Sequence, residues 1–365
     1  MKTRIVALAS ALLIASLGMV FTGSTSSAAE VSSKKIILFD TAHRDLLGVS
    51  LGLDLLPSLQ PGGRLGRMVF TPLKKPRIWL IDAALIEDVK TLAEEEVSAQ
   101  EWLNKLKSVT KSDRVIAIPY GHPDKATAKR LAPTELKFYY QSSKSRLQKF
   151  LERPVINDPT AVWTMKRPKI NKETIDSYLL NRKAISLLRT VVPVSELDAL
   201  RSRLALLIAS DITAEQQQFF SQNADVSIAL QNHKLRIFPG KYRLSSTHEK
   251  VPVTLVNDFS APVKISLQLT ALNSRIQVES MQAISIPAGA KLQLSVPVTV
   301  IASGTTAVLA QFANSRGTLL LESAMLDLNL SVISPAVAWF TTSAGALLLL
   351  AALTQIVRRV RRSRK

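Results

Sequence analysis

The sequence predicts an α/β head of partial or degenerate barrel type, an all-β immunoglobulin-like sandwich, and one C-terminal transmembrane helix. Three observations predict it. Short β-branched runs alternate with helical periodicity before residue 140. Polar and apolar residues alternate in short runs over 234–331. An apolar run over 333–357 is followed by six cations in 358–365.

The N-terminus reads as a secretory leader. Lys2 and Arg4 precede an apolar stretch over 5–21, and Ser27, Ala28 and Ala29 form a small-residue exit before Glu30. Residues 1–29 are therefore expected to be removed. The segment after them has no cysteine, which excludes disulfides, thiolate metal sites and cysteine nucleophiles. Of the net charge of +19, the tail carries six and the leader two, which leaves +11 between them. The charge is concentrated over 125–190, where 15 Lys and Arg face five Asp and Glu.

The head is expected over 30–231. KIILF (35–39), RIWLI (77–81) and RVIAIP (114–119) have the length and β-branching of buried parallel strands. Between them, Leu85, Val89 and Leu92, and then Trp102, Leu103 and Leu106, recur at helical spacing. Residues 143–151, 172–188 and 195–208 also read as helices. The sandwich is expected over 232–332, with about seven strands broken by turn residues at 258–262, 287–289, 303–304 and 314–317. A transmembrane helix over 333–357 with a basic cytoplasmic tail at 358–365 would leave the rest outside the cytoplasm.

The stretches DTAHRDLLG, LQPGGRLGRM, WLIDAALIEDV and VIAIPYGHPD, with VPVTLVNDFSAPVKISLQL and IPAGAKLQLSVPVTV near the C-terminus, resemble an uncharacterised actinobacterial family of secreted, single-pass membrane-anchored envelope proteins. That resemblance implies a cell-envelope setting near peptidoglycan-precursor export. The apolar run over 333–357 makes the membrane an expected partner, and the basic segment a wall polymer, anionic lipid or envelope protein. The resemblance implies no activity.

Candidate chemistry lies after the strands. Asp40 and His43 follow the first, Asp82 the second, and His122 and Asp124 the third, at the edge where α/β folds build ligand crevices. Three carboxylates and two imidazoles there suit acid/base catalysis by a polysaccharide hydrolase or deacetylase. A structural reading accounts for the same residues. Asp82 directly precedes a helical pattern as an N-cap, and Asp124 lies in a turn marked by Pro119, Gly121 and Pro123. No histidine pair has metal-site spacing, Gly-x-Ser-x-Gly is absent, and no metal or cofactor is expected. Lys144, Arg146, Lys149 and Arg153 are candidates for binding an anionic surface. Nucleic acid is not expected, because the cations lie outside the cell and aromatic interleaving is sparse. The reading favoured by the sequence is a non-enzymatic binding or scaffold module in envelope biogenesis, with the wall-glycan hydrolase or deacetylase as its alternative.

Overall fold

The computed structural model describes residues 33–52, 55–164, 168–331 and 335–362. The leader assigned to 1–29 lies outside them. The first sheet is built by β1 (Lys34–Leu38), β2 (Arg77–Ile81), β3 (Arg114–Ala117) and β4 (Ile156–Asn157), parallel and in the spatial order β1-β2-β3-β4. Each strand is thus followed by helices and then by its own neighbour, so all four carboxyl ends share one edge. The connecting helices are α1 (Leu56–Leu59), α2 (Arg64–Phe70), α3 (Ala83–Leu92), α4 (Val97–Thr110), α5 (Lys125–Leu131) and α6 (Pro133–Leu151). Trp79 and Trp102 are fully buried beneath them, and each indole finds an acceptor, Asp113 Oδ2 at 2.8 Å and the Leu65 carbonyl at 3.2 Å.

After β4 the chain turns wholly helical. α7 (Lys172–Leu188) starts at Asn171, whose side chain accepts from the Thr174 N–H. Next come α8 (Val194–Arg203) and a 3₁₀ turn over Leu204–Ile208. α9 (Ala214–His233) opens with a reciprocal capping box between Thr213 and Gln216. Strand–helix alternation therefore ends at residue 157, and residues 172–233 form a layer of helices.

The remaining strands close a sandwich. They are β5 (Leu235–Ile237), β6 (Gly240–Leu244), β7 (His248–Asn257), β8 (Val263–Ala271), β9 (Ile276–Val278), β10 (Met281–Ile286), β11 (Ala290–Val300), β12 (Gly304–Ala313) and β13 (Leu319–Leu330). One sheet runs β10-β8-β12-β13-β6 and the other β5-β7-β11-β9. In β13, Leu320, Ala324, Leu326, Leu328 and Leu330 point inward while their neighbours face out, as period-2 patterning requires. Asn257, fully buried, ties a corner by donating to the Ala261, Ile286 and Pro287 carbonyls. The core does not stop at the sandwich. Tyr178, Ile185, Phe220 and Ile228 of the helical layer belong to the same apolar cluster as Val253, Ile265 and Leu326.

The expected fold class is overturned in its membrane-spanning component. The last helix is α10 (Pro335–Arg362), yet among the described residues no helix is long and apolar enough to cross a membrane. Polar residues interrupt it on both sides. Thr342, Ser343 and Thr354 turn their hydroxyls onto carbonyls of the preceding turn, those of Trp339, Phe340 and Ala351. Arg358, Arg359, Arg361 and Arg362, assigned to a tail, are helical; residues 363–365 lie outside the described residues.

Candidate functional site

Asp82 ends β2 and caps α3, and its position at the strand's carboxyl end aims the carboxylate across the sheet edge. Its Oδ1 accepts from the N–H groups of Ala84 at 2.9 Å and Gly121 at 3.0 Å, while Oδ2 meets His122 Nδ1 at 2.8 Å. The other ring nitrogen, Nε2, meets Asp211 Oδ1 at 2.7 Å. His122 is 1% exposed and its ring lies 4.6 Å from that of Phe39. Burial alone would push this imidazole down, but the bonds to Asp211 and Asp82 prevail and raise it from 6.5 to about 9. Burial likewise opposes ionisation of Asp211, and the bond to His122 outweighs it, so that carboxyl lies below its ordinary value.

The backbone builds the same junction. Gly121 and His122 both have positive φ, +69° and +37°, which turns the loop after β3 back over the sheet edge. There the Asp124 N–H donates to the Ile208 carbonyl at 2.7 Å and the Ser210 N–H to the His122 carbonyl at 3.0 Å. His122 is therefore an imidazolium strut between two carboxylates. With both ring nitrogens engaged, it has no lone pair with which to take a proton from a substrate.

Of the other rim residues, Asp124 and Asp40 are held by hydrogen bonds and ion pairs, while the His43 ring nitrogens are buried without a hydrogen bond. Asp124 caps α5, accepting from the Thr127 N–H at 2.8 Å, and does not join the His122 cluster. Asp40 accepts from the Thr41 N–H at 3.0 Å and pairs with Arg64 at 2.7 Å. Burial works against its ionisation, but His43 and Arg64 hold its carboxyl below the ordinary range. His43 Nε2 stands 3.7 Å from Asp40 Oδ2, beyond hydrogen-bond reach, and its backbone N–H donates to Asp88 Oδ2 at 3.1 Å. Among the described residues no three His, Asp or Glu side chains are placed to hold a metal ion. Sequence reasoning missed Asp211. It lies 89 residues from His122 along the chain, just before the α9 cap, and no local pattern marks it.

The cationic candidates on α6 separate. Arg153 lies beyond the helix and donates to the Asp113 and Thr110 carbonyls, closing the end of α4. Lys144 is not among the residues that line the cavity formed by the other two. Arg146 and Lys149 line a cavity of about 410 Å³ between α3 and α6, together with Arg44, Glu87 and Lys90. Arg146 Nε donates to Glu87 at 2.6 Å, and its guanidinium lies 4.9 Å from the Tyr120 ring centroid. Glu87 also accepts from the Tyr120 hydroxyl at 2.8 Å and from Arg44 at 3.4 Å, and Arg203 approaches it at 3.9 Å.

No curated protein matches the chain. Among solved structures, a Caenorhabditis elegans MSP family member is similar at 10% identity, covering 27% of this chain and 97% of its own, with a TM-score of 0.21. A FixG-related protein from Vibrio parahaemolyticus is similar at 12% identity, covering 26% of this chain and 94% of its own, with a TM-score of 0.21. The CARDB domain of a Pyrococcus furiosus protein is similar at 12% identity, covering 27% and 94%, with a TM-score of 0.22. Residues 86–365, which include His122, Asp211, the helical layer and the whole sandwich, match the family of unknown function DUF6049, and the chain belongs to that family.

Proposed function

We propose that the chain is an exported, non-enzymatic binding or scaffold module of the cell envelope. The observation that carries this reading is the lock on His122. His122 spends both nitrogens on Asp82 and Asp211, Asp124 is spent on a helix cap, and the His43 ring, 3.7 Å from Asp40, has both nitrogens buried. A hydrolase or deacetylase would need one of these groups free to exchange a proton with substrate. Export rests on the leader pattern of residues 1–29 and on a cysteine-free sequence that is stable in either redox setting.

Two experiments test the reading. Asp40→Asn and His43→Gln alter the rim without touching the His122 strut, and both variants should restore an envelope phenotype in a deletion strain as well as the parent does. A folded, exported Asp40→Asn protein that fails to restore it would favour catalysis over binding. Mass spectrometry of the mature protein should find Glu30 at the N-terminus; retention of Met1 would refute export by a cleaved leader.

A further inference from the structure

We propose that the cavity between α3 and α6 is a binding site for a phosphate group carried on a short polyol or sugar. Its walls come from opposite directions. α3 supplies Glu87 and Lys90, one turn apart; α6 supplies Arg146 and Lys149 at the same spacing; Arg44 enters from the segment after β1. Four cations line the cavity against one carboxylate. Behind that wall, Asp88 offsets Arg44 at 2.7 Å, while Arg203 approaches Glu87 at 3.9 Å, so the surroundings restore the surplus of three positive charges.

The hydrogen-bonding balance is as lopsided as the charge. Arg44 spends Nε on Asp88, Nη1 on Thr91 and Nη2 on Glu87. Arg146 spends Nε on Glu87 and Nη1 on Ser142 and Ser202, and its Nη2 has no partner among the described residues. Lys90 Nζ lies 5.0 Å from the Phe150 ring centroid, a cation–π contact, and its N–H donors make no hydrogen bond or ion pair among the described residues. The same holds for Lys149. The cavity thus offers donors from an Arg and two Lys on facing walls, with almost no acceptor to answer them. A neutral sugar, which brings as many donors as acceptors, is a poor match. A carboxylate is satisfied by a single planar guanidinium fork. A tetrahedral oxyanion with three or more acceptor oxygens uses donors arriving from separate directions. The volume suits a phosphate with one small appendage, and Ala83, Ile86 and Leu147 give that appendage an apolar floor.

Glu87 is the organising element. Its carboxylate draws Arg44, Arg146 and Arg203 toward one point, so the cations are ordered before a ligand arrives and less entropy is lost on binding. The same phosphate chemistry is offered by a soluble phosphopolyol and by an anionic lipid headgroup.

This inference gives the proposed binding module a ligand and rests on that reading, but its test fails separately. Calorimetric titration of the full chain with glycerol 3-phosphate should show binding that weakens about tenfold in Lys90→Gln and again in Lys149→Gln, the loss of one charge-assisted contact each. Lys144→Gln, on the same helix but outside the cavity, should bind as the parent does. In a parallel arm, phosphatidylglycerol vesicles that are bound with the same dependence on Lys90 and Lys149, without binding of the soluble compound, would assign the phosphate to a lipid. Absence of binding in both arms, affinity unchanged in the Lys90/Lys149 double variant, equal weakening by Lys144→Gln, or preference for acetate over glycerol 3-phosphate would each overturn the proposal. None of these results bears on the non-enzymatic reading, whose test is the behaviour of the Asp40 and His43 variants.

Discussion

Asp82 and Asp124 look alike in the sequence, each an aspartate between a strand and a helix, and in the structure both are caps. Only one is more than a cap. Asp124→Asn should cost about 0–1 kcal/mol, because asparagine caps a helix about as well as aspartate. Asp82→Asn removes one of two carboxylates from a buried imidazolium and should cost about 3 kcal/mol, measured by urea unfolding. Equal costs would show that the His122–Asp82 pair contributes nothing beyond the cap. The strut also titrates. Because folded His122 is raised from 6.5 to about 9, its stabilisation is complete below pH 6.5 and is lost as pH climbs through about 9. The urea midpoint should therefore fall across that window, by up to about 3 kcal/mol in stability, and fall less in Asp211→Asn. A flat profile in the parent would refute the doubly held imidazolium.

Elements were legible in the sequence where one local rule dominated. β1, β2 and β3, the helices α3 and α4 and the longer alternating sandwich strands carry their period openly, whereas α1 and α2, between β1 and β2, are too short to show one. β4, with two residues, and the short strands β5 and β9, with three each, are too brief for any period to show, and they exist because a neighbouring strand completes them. The last helix misled by composition: its apolar content is high, yet among the described residues it is not long and apolar enough to cross a membrane. Of the candidate site, the rim positions could be read from strand ends, whereas the pairing of His122 with Asp211 could not, since it depends on how the helical layer packs. Gly121 is where that packing becomes visible in the backbone. An added Cβ would lie 3.1 Å from Leu206 Cδ2 and 3.3 Å from Ala205 Cβ at a φ of +69°. Gly121→Ala should destabilise by about 1–2 kcal/mol from the left-handed conformation alone and shift the His122 resonance in an NMR spectrum; no shift would mean that the loop can move independently of the helical layer.

At the scale of the whole molecule, the helical layer joins sheet and sandwich. α7 and α9 pack against β13, α9 also against β5, and Asn314 donates to Thr190 at 3.1 Å across the seam. Ile228→Ala, in the middle of α9, should cost about 2–5 kcal/mol and lower the stability of both halves together. Tryptophan fluorescence reports the head through Trp79, Trp102 and Trp163, and hydrogen exchange in β11 reports the sandwich; separate transitions would show that the shared core does not couple them. The junction at His122 sets an order of events as well. Its partners, Ile208, Ser210 and Asp211, are synthesised long after β3, so a nascent chain that ends before them holds a finished parallel sheet whose carboxyl edge has nothing to close on. Ribosome-bound chains stalled near residue 200 should therefore be cut by protease within 119–124, and chains extended past the α9 cap should resist. The strut that removes His122 from chemistry thus acts as the latch by which the early half of the protein waits for the later one.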